Sequence, residues 1–156
     1  MDLFEDEIIL FFKHLTQQQV SFILVGGLAV NYYGFNRATG DIDIWINDSK
    51  ENRENFVYAL NNYGIVGSEI YYDLPFIAGY SEIMLDNGMR IDLMSDLQFF
   101  KKENYNDCHK LANTFNLNDD VEIKILHINT LISEKEQSKR LKDNVDADAL
   151  KKLYRS

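Results

Sequence analysis

The chain has 156 residues, 46% of them hydrophobic, and its sixteen Lys and Arg stand against twenty-five Asp and Glu for a formal net charge of −9. That length suits one domain burying about two-thirds of its unfolded surface, and the acidic balance disfavours autonomous binding to a nucleic-acid backbone through counterion release. One cysteine, Cys108, excludes an internal disulfide, while an acidic N-terminal stretch and no apolar run of roughly 18–20 residues speak against a signal peptide or membrane span, so a cytoplasmic protein is expected.

In chain order, residues 2–18 carry Phe4, Ile8, Phe11, Phe12 and Leu15 at helical spacing and predict a first helix. The run Phe22-Ile23-Leu24-Val25 predicts a buried strand ending at Gly26, and Gly27 to Tyr33 a short helix stopped by Gly34. Asp41-Ile42-Asp43-Ile44 reads as a second strand. Asp48 and Glu51 form an expected capping box for a helix over 49–63 with Phe56, Val57, Leu60 and Tyr63, ended by Gly64. Segment 70–81, aromatic and holding the single proline Pro75, predicts an irregular stretch packed on the sheet, with rings able to stack a base or an acceptor. Asn87-Gly88 between Glu82–Asp86 and Met89–Met94 is a strong hairpin signal, which sets Arg90 and Asp92 on one face and Ile91 and Leu93 on the other. Residues 95–119 read as helical with an Asn-rich exit, Val121–Leu126 as a short strand, and Asn129 or Thr130 opens the first of two closing helices broken near Lys142-Asp143. The expected fold is α/β (α+β), a mixed sheet flanked by helices, in one domain over 1–156 whose C-terminal helices start at about 129.

Chemistry concentrates at two places. Asp41 and Asp43 are two apart, so on a strand their carboxylates share a face while Ile42, Ile44 and Ile46 take the other. Adjacent anions repel and cost desolvation unless a cation relieves them, and an all-oxygen ligand set with Asp92 as third acid favours Mg²⁺ or Mn²⁺. Beside them, Gly26 and Gly27 end a strand and open a helix, a layout in which bare backbone and free N–H groups admit a phosphate. A steric need for glycine in a tight turn is the plain alternative. Late in the chain Lys135, Lys139, Arg140, Lys142, Lys151, Lys152 and Arg155 alternate with Glu134, Glu136, Asp143, Asp146 and Asp148, which reads as a solvated helix face or as a phosphate- or acceptor-binding patch. Cys108 reads as a packing residue, and His14, His109 and His127 lack metal-ligand spacing.

Val25-Gly26-Gly27, a thirteen-residue spacer, Asp41-Ile42-Asp43-Ile44 and the later Ile91-Asp92-Leu93 together resemble the nucleotidyltransferase superfamily with a DNA polymerase β-like palm, over roughly residues 20–95. Small bacterial members, the AbiEii-like toxins and the minimal antibiotic nucleotidyltransferases, are the most similar, and Lys135 with Arg140-Leu141-Lys142-Asp143 and Asp146 resembles the C-terminal pattern of the AbiEii-like group. The resemblance implies transfer of a nucleoside monophosphate from an NTP to an acceptor hydroxyl with pyrophosphate released. It implies further that Asp41, Asp43 and Asp92 hold the metal ions, Asp92 also serving as general base, and that Gly26 and Gly27 cradle the triphosphate. Arg37 and Lys135 are candidates to neutralise triphosphate charge. The acceptor stays open between a small molecule, an RNA end and a protein side chain, and a homodimer or a cognate partner protein is expected to be compatible. Rival readings are a catalytically idle domain of this fold that binds nucleotide or acts as one half of a toxin–antitoxin pair, and, more weakly, a metal-binding phosphodiesterase.

Overall fold

A computed structural model describes Leu3 and residues 5–155. It contains a six-stranded mixed sheet flanked by helices, the strands lying side by side in the order Glu82–Met84 (β3), Arg90–Met94 (β4), Asp41–Ile46 (β2), Phe22–Val25 (β1), Glu122–Ile125 (β6) and Asn113–Asn116 (β5). Helix α1 (Asp6–Gln17) forms because Ile8, Phe11, Phe12 and Leu15 make one apolar stripe, with Asp6 and Glu7 complementing the dipole of its first turn. Phe4 lies outside the described residues. Each buried ring contributes about 1.5–3 kcal/mol, and Phe12 stacks on Phe22 at 5.5 Å between centroids.

Strand β1 (Phe22–Val25) is buried along its whole length and runs antiparallel to β2 (Asp41–Ile46) and parallel to β6 (Glu122–Ile125). Between β1 and β2 sits α2 (Gly26–Tyr32), and from β2 the chain crosses through α3 (Lys50–Tyr63) to the hairpin of β3 (Glu82–Met84) and β4 (Arg90–Met94). β4 pairs parallel with β2. The hairpin turns at Asn87-Gly88 as expected, Gly88 supplying φ +85° and the Asn87 side chain accepting from the Met89 N–H.

Several elements differ from the sequence reading. Helix α3 is capped by Ser49, whose hydroxyl accepts from Asn52 N at 3.1 Å; Asp48 instead pairs with Arg53, Nε to Oδ1 2.6 Å, and so takes no part in a capping box. The 70–81 stretch opens with a 3-10 turn over Ser68–Tyr72, and its Tyr71 and Phe76 are buried against Phe56, with the Arg53 guanidinium 4.1 Å above the Phe76 ring. Those two rings therefore serve the core. The expected helix over 95–119 is confined to α4 (Tyr105–Leu111), and Asn113–Asn116 is an edge strand, β5, antiparallel to β6. Pairing with β6 overrides the weak strand propensity of two asparagines. Helix α5 (Ile128–Glu136) starts under a His127 cap, and the break before α6 (Leu141–Tyr154) falls at 137–140, ahead of Lys142-Asp143. Cys108 is buried and free, as a packing residue would be. No helix among the described residues is long and apolar enough to cross a membrane.

Candidate functional site

The register of the central strands builds the site. β2 and β4 are parallel neighbours with Asp43 opposite Asp92 and Asp41 opposite Arg90, so Asp43 and Asp92 stand side by side on one sheet face. On the other face Ile42, Ile44, Ile91 and Leu93 enter the core. Trp45, next along the acid-bearing face, is buried and donates from Nε1 to Ser95 O at 2.8 Å, which ties β2 to the start of the loop after β4.

Asp43 is held in a tight frame. Gly26 has φ +67°, and a Cβ there would fall 2.0 Å from Asp43 Oδ2, so only glycine permits the carboxylate to approach this backbone. The Gly27 N–H, on the same turn, favours the charged form of that carboxylate. Burial, followed by the charges of Asp92 and Asp41, pushes the Asp43 carboxyl up to about 6, against the opposing pull of Lys135 and the Gly27 N–H. Burial also raises the Asp92 carboxyl, with Glu82 and Asp41 adding and the Gly79 N–H opposing. That N–H reaches both Asp92 oxygens, at 2.9 and 3.2 Å, from the turn after Ile77 and Ala78.

A cavity of about 470 Å³ opens over this pair, bordered by Gly26, Asp43, Asp92 and Lys135, by Phe76 to Ala78, and by Leu97, Gln98 and Lys101. Asp41, Gly27 and Arg37 are not on its wall. Gly27 is enclosed by the protein itself, since a Cβ there would meet Thr39 Cβ at 2.8 Å. The steric reason for this second glycine is therefore met within the fold. Among the described residues no three His, Cys, Asp or Glu side chains are drawn into a closed metal cage; two acids converge, and Asp41 lies one step along the same strand face.

The cations have their own arrangement. Lys135 Nζ lies 2.8 Å from Asp143 Oδ1 and 3.1 Å from Asp146 Oδ2. Arg37 donates from Nη2 to Asp146 Oδ2 at 3.0 Å, and its Nε sits 2.7 Å from Oδ1, an ion contact without hydrogen-bond alignment. Burial alone would raise the Asp143 carboxyl, but the Lys135 ammonium, the Ser138 hydroxyl and the Arg140 guanidinium outweigh it and hold it below the ordinary carboxylate value. Lys135 is thus a bridge, borne by α5, facing Asp43 on one side and the α6 acids on the other, whereas Arg37 is committed to Asp146. Glu134, Gln98 and Lys101 escaped sequence reasoning because their convergence depends on a contact between α5 and the loop after β4. No short-range pattern signals it.

No protein-family model matches the chain, and no curated protein matches its sequence. Among solved structures, an antigenic nucleotidyltransferase-like protein from Paracoccidioides brasiliensis is similar, with a TM-score of 0.51 at 13% identity over 93% of this chain and 75% of that one. The chain therefore has a nucleotidyltransferase-like fold, a likeness of architecture at an identity too low to speak for activity.

Proposed function

We propose that this protein transfers a nucleoside monophosphate from an NTP to an acceptor hydroxyl and releases pyrophosphate, with Mg²⁺ or Mn²⁺ as cofactor. The observation that carries the reading is the register pair of Asp43 and Asp92, two mutually repelling acids at the floor of a cavity beside the Gly26 turn. A fold keeps such a pair at a cost, and an all-oxygen donor set with no cation paired to it among the described residues suits a hard divalent ion. Asp43 and Asp92 would hold the ions with Asp41 as the third acid; bound there, they offset triphosphate charge and acidify the attacking hydroxyl.

The remaining work falls to the chain's own groups. Asp92, whose carboxyl burial raises, is the base that accepts the acceptor's proton. Gly26, on the cavity wall, is where the triphosphate would meet backbone, beside the Asp43 carboxylate that its missing Cβ admits, and Gly27 lies behind it, off the wall. Lys135, on the cavity wall and facing Asp43, is the cation placed to meet triphosphate oxygens, while Arg37 contributes by fixing Asp146 behind it. The Lys135-to-Asp146 pattern supports a relation to the AbiEii-like group.

A second reading, a catalytically idle domain that binds nucleotide or a partner protein, draws on the Gly79 N–H that engages both Asp92 oxygens. The test is incubation with each NTP, labelled at the α-phosphate, and Mg²⁺, following pyrophosphate and transfer of label to protein, RNA or added polyols. Release by the wild type and its loss in Asp43→Asn is the expected result. A folded wild type that releases pyrophosphate from no NTP would support the idle domain.

A further inference from the structure

Glu134 sits in the charged C-terminal stretch that reads as a solvated helix face, yet its carboxylate is fully occupied. Oε1 accepts from Gln98 N at 2.5 Å and Phe99 N at 3.1 Å, and Oε2 from Phe99 N at 2.9 Å and Phe100 N at 3.1 Å. Three consecutive backbone donors thus converge on one anion carried by α5. These donors belong to the loop that follows β4, where no strand partner exists to satisfy them. The loop is anchored at its start, where Ser95 O accepts from Trp45 Nε1 and Ser95 N donates to Phe76 O, and beyond it Leu97 N donates to Phe100 O at 2.8 Å and Lys101 Nζ to Leu97 O at 3.0 Å. Leu97, Gln98 and Lys101 line the cavity over Asp43 and Asp92, and Lys101, with Phe76, also borders a second cavity of about 490 Å³. The adjacent residue on α5 is Lys135, which faces Asp43.

We propose that Glu134 is a positioning residue: it ties the Leu97–Lys101 wall of the cavity to α5, so that the wall and the Lys135 charge meet the ligand in a fixed relation. The inference rests on the nucleotidyl-transfer reading in taking that ligand to be an NTP. Charge-assisted bonds to three successive N–H groups are strong, and losing the anion leaves those donors to water and the turn to fluctuate. A ligand must then order the wall as it binds, which weakens affinity without touching the carboxylates that hold metal.

The experiment compares wild type, Glu134→Ala and Glu134→Gln by amide hydrogen exchange, by calorimetric titration with each NTP in Mg²⁺, and by titration with Mn²⁺ alone. In Glu134→Ala the amides of 98–100 should exchange faster and the NTP dissociation constant should rise about tenfold or more, with Mn²⁺ affinity unchanged. Glu134→Gln keeps one accepting oxygen and should fall between; it carries the test should the alanine variant not fold. Exchange at 98–100 equal to wild type overturns the clamp. Faster exchange with unaltered NTP affinity, in a wild type that binds NTP, overturns the positioning role and leaves Glu134 as a structural tie. A wild type that binds no NTP overturns the nucleotidyl-transfer reading instead, and with it the ligand assigned to this wall.

Discussion

Two pairs of acids lie within reach of Lys135, and the protein treats them oppositely. Asp143 and Asp146 on α6 are buried, Asp146 completely, and each is answered by cations: Lys135 for both, Arg37 for Asp146, Arg140 and the Ser138 hydroxyl for Asp143. Asp43 and Asp92 on the central strands are partly buried and face each other with only backbone N–H groups and the distant pull of Lys135. The carboxyl of Asp143 is accordingly held down and that of Asp43 pushed up. Burial is common to both pairs; the counter-charge separates them, marking one as architecture and, on the proposed function, the other as the place for a ligand's charge.

Substitutions at the two pairs should move stability in opposite directions. The largest effect is expected at Asp146→Ala, which strands Arg37 and weakens the hold on Lys135; breaking a buried pair by removing one partner costs about 3–5 kcal/mol, read from urea unfolding. At the other pair, Asp43→Asn should cut pyrophosphate release by about 10²-fold or more, through loss of a ligand that stabilises transition-state charge. The metal-free fold should be as stable as wild type or more so. A variant that retained a tenth of the activity would remove Asp43 from the chemistry.

The same contrast has a pH signature. Asp43 titrates in the folded state near 6 against an ordinary 3.8, so between those values the folded protein binds more protons than the unfolded chain. Stability of the metal-free protein therefore falls as pH rises from about 4 to about 6, by at most about 3 kcal/mol, and levels off above. Asp143 has the reverse sign: its lowered value contributes stability above the ordinary carboxylate pKa that is lost as pH falls through the folded one. Urea unfolding across pH 3–8, with Asp43→Asn flattening only the upper window, separates the two. The smallest expected effect is Ser138→Ala, which removes one donor to Asp143 and should cost about 1–2 kcal/mol with NTP affinity unchanged.

The glycine turn, the acid-bearing strand and the hairpin that delivers Asp92 were legible because each is written in adjacent residues: period-two alternation over 41–44, Asn87-Gly88 at the turn, aliphatic β1 before Gly26. From these a set of acids, Asp41 and Asp43 on one strand and Asp92 on another, was expected; the register that sets Asp43 opposite Asp92 and Asp41 opposite Arg90 came only with the fold. What stayed hidden depends on partners far along the chain. β5 has two asparagines in four residues and exists because β6 offers it a ladder. Arg37 read as a candidate to neutralise triphosphate charge, and only the fold reveals its pairing with Asp146 across 109 residues. Ser49 displaced Asp48 as the cap because Arg53 lies where it captures the Asp48 carboxylate. Glu134 looked like any acid on a charged helix until the loop after β4 closed on it.

If Asp43 and Asp92 stand without a paired cation so that a divalent ion can take that place, thermal unfolding with EDTA, with Mg²⁺ or with Mn²⁺ reads the effect of the ion on the fold itself. Metal at a hundred times its dissociation constant should stabilise the wild type by about 2.7 kcal/mol by mass action on the native state. Metal-free Asp43→Asn should melt at or above the metal-free wild type and gain little from either ion. A folded wild type whose melting temperature ignores both ions, with or without NTP, or an Asp43→Asn variant that gains as much as the wild type, would remove the metal from this pair.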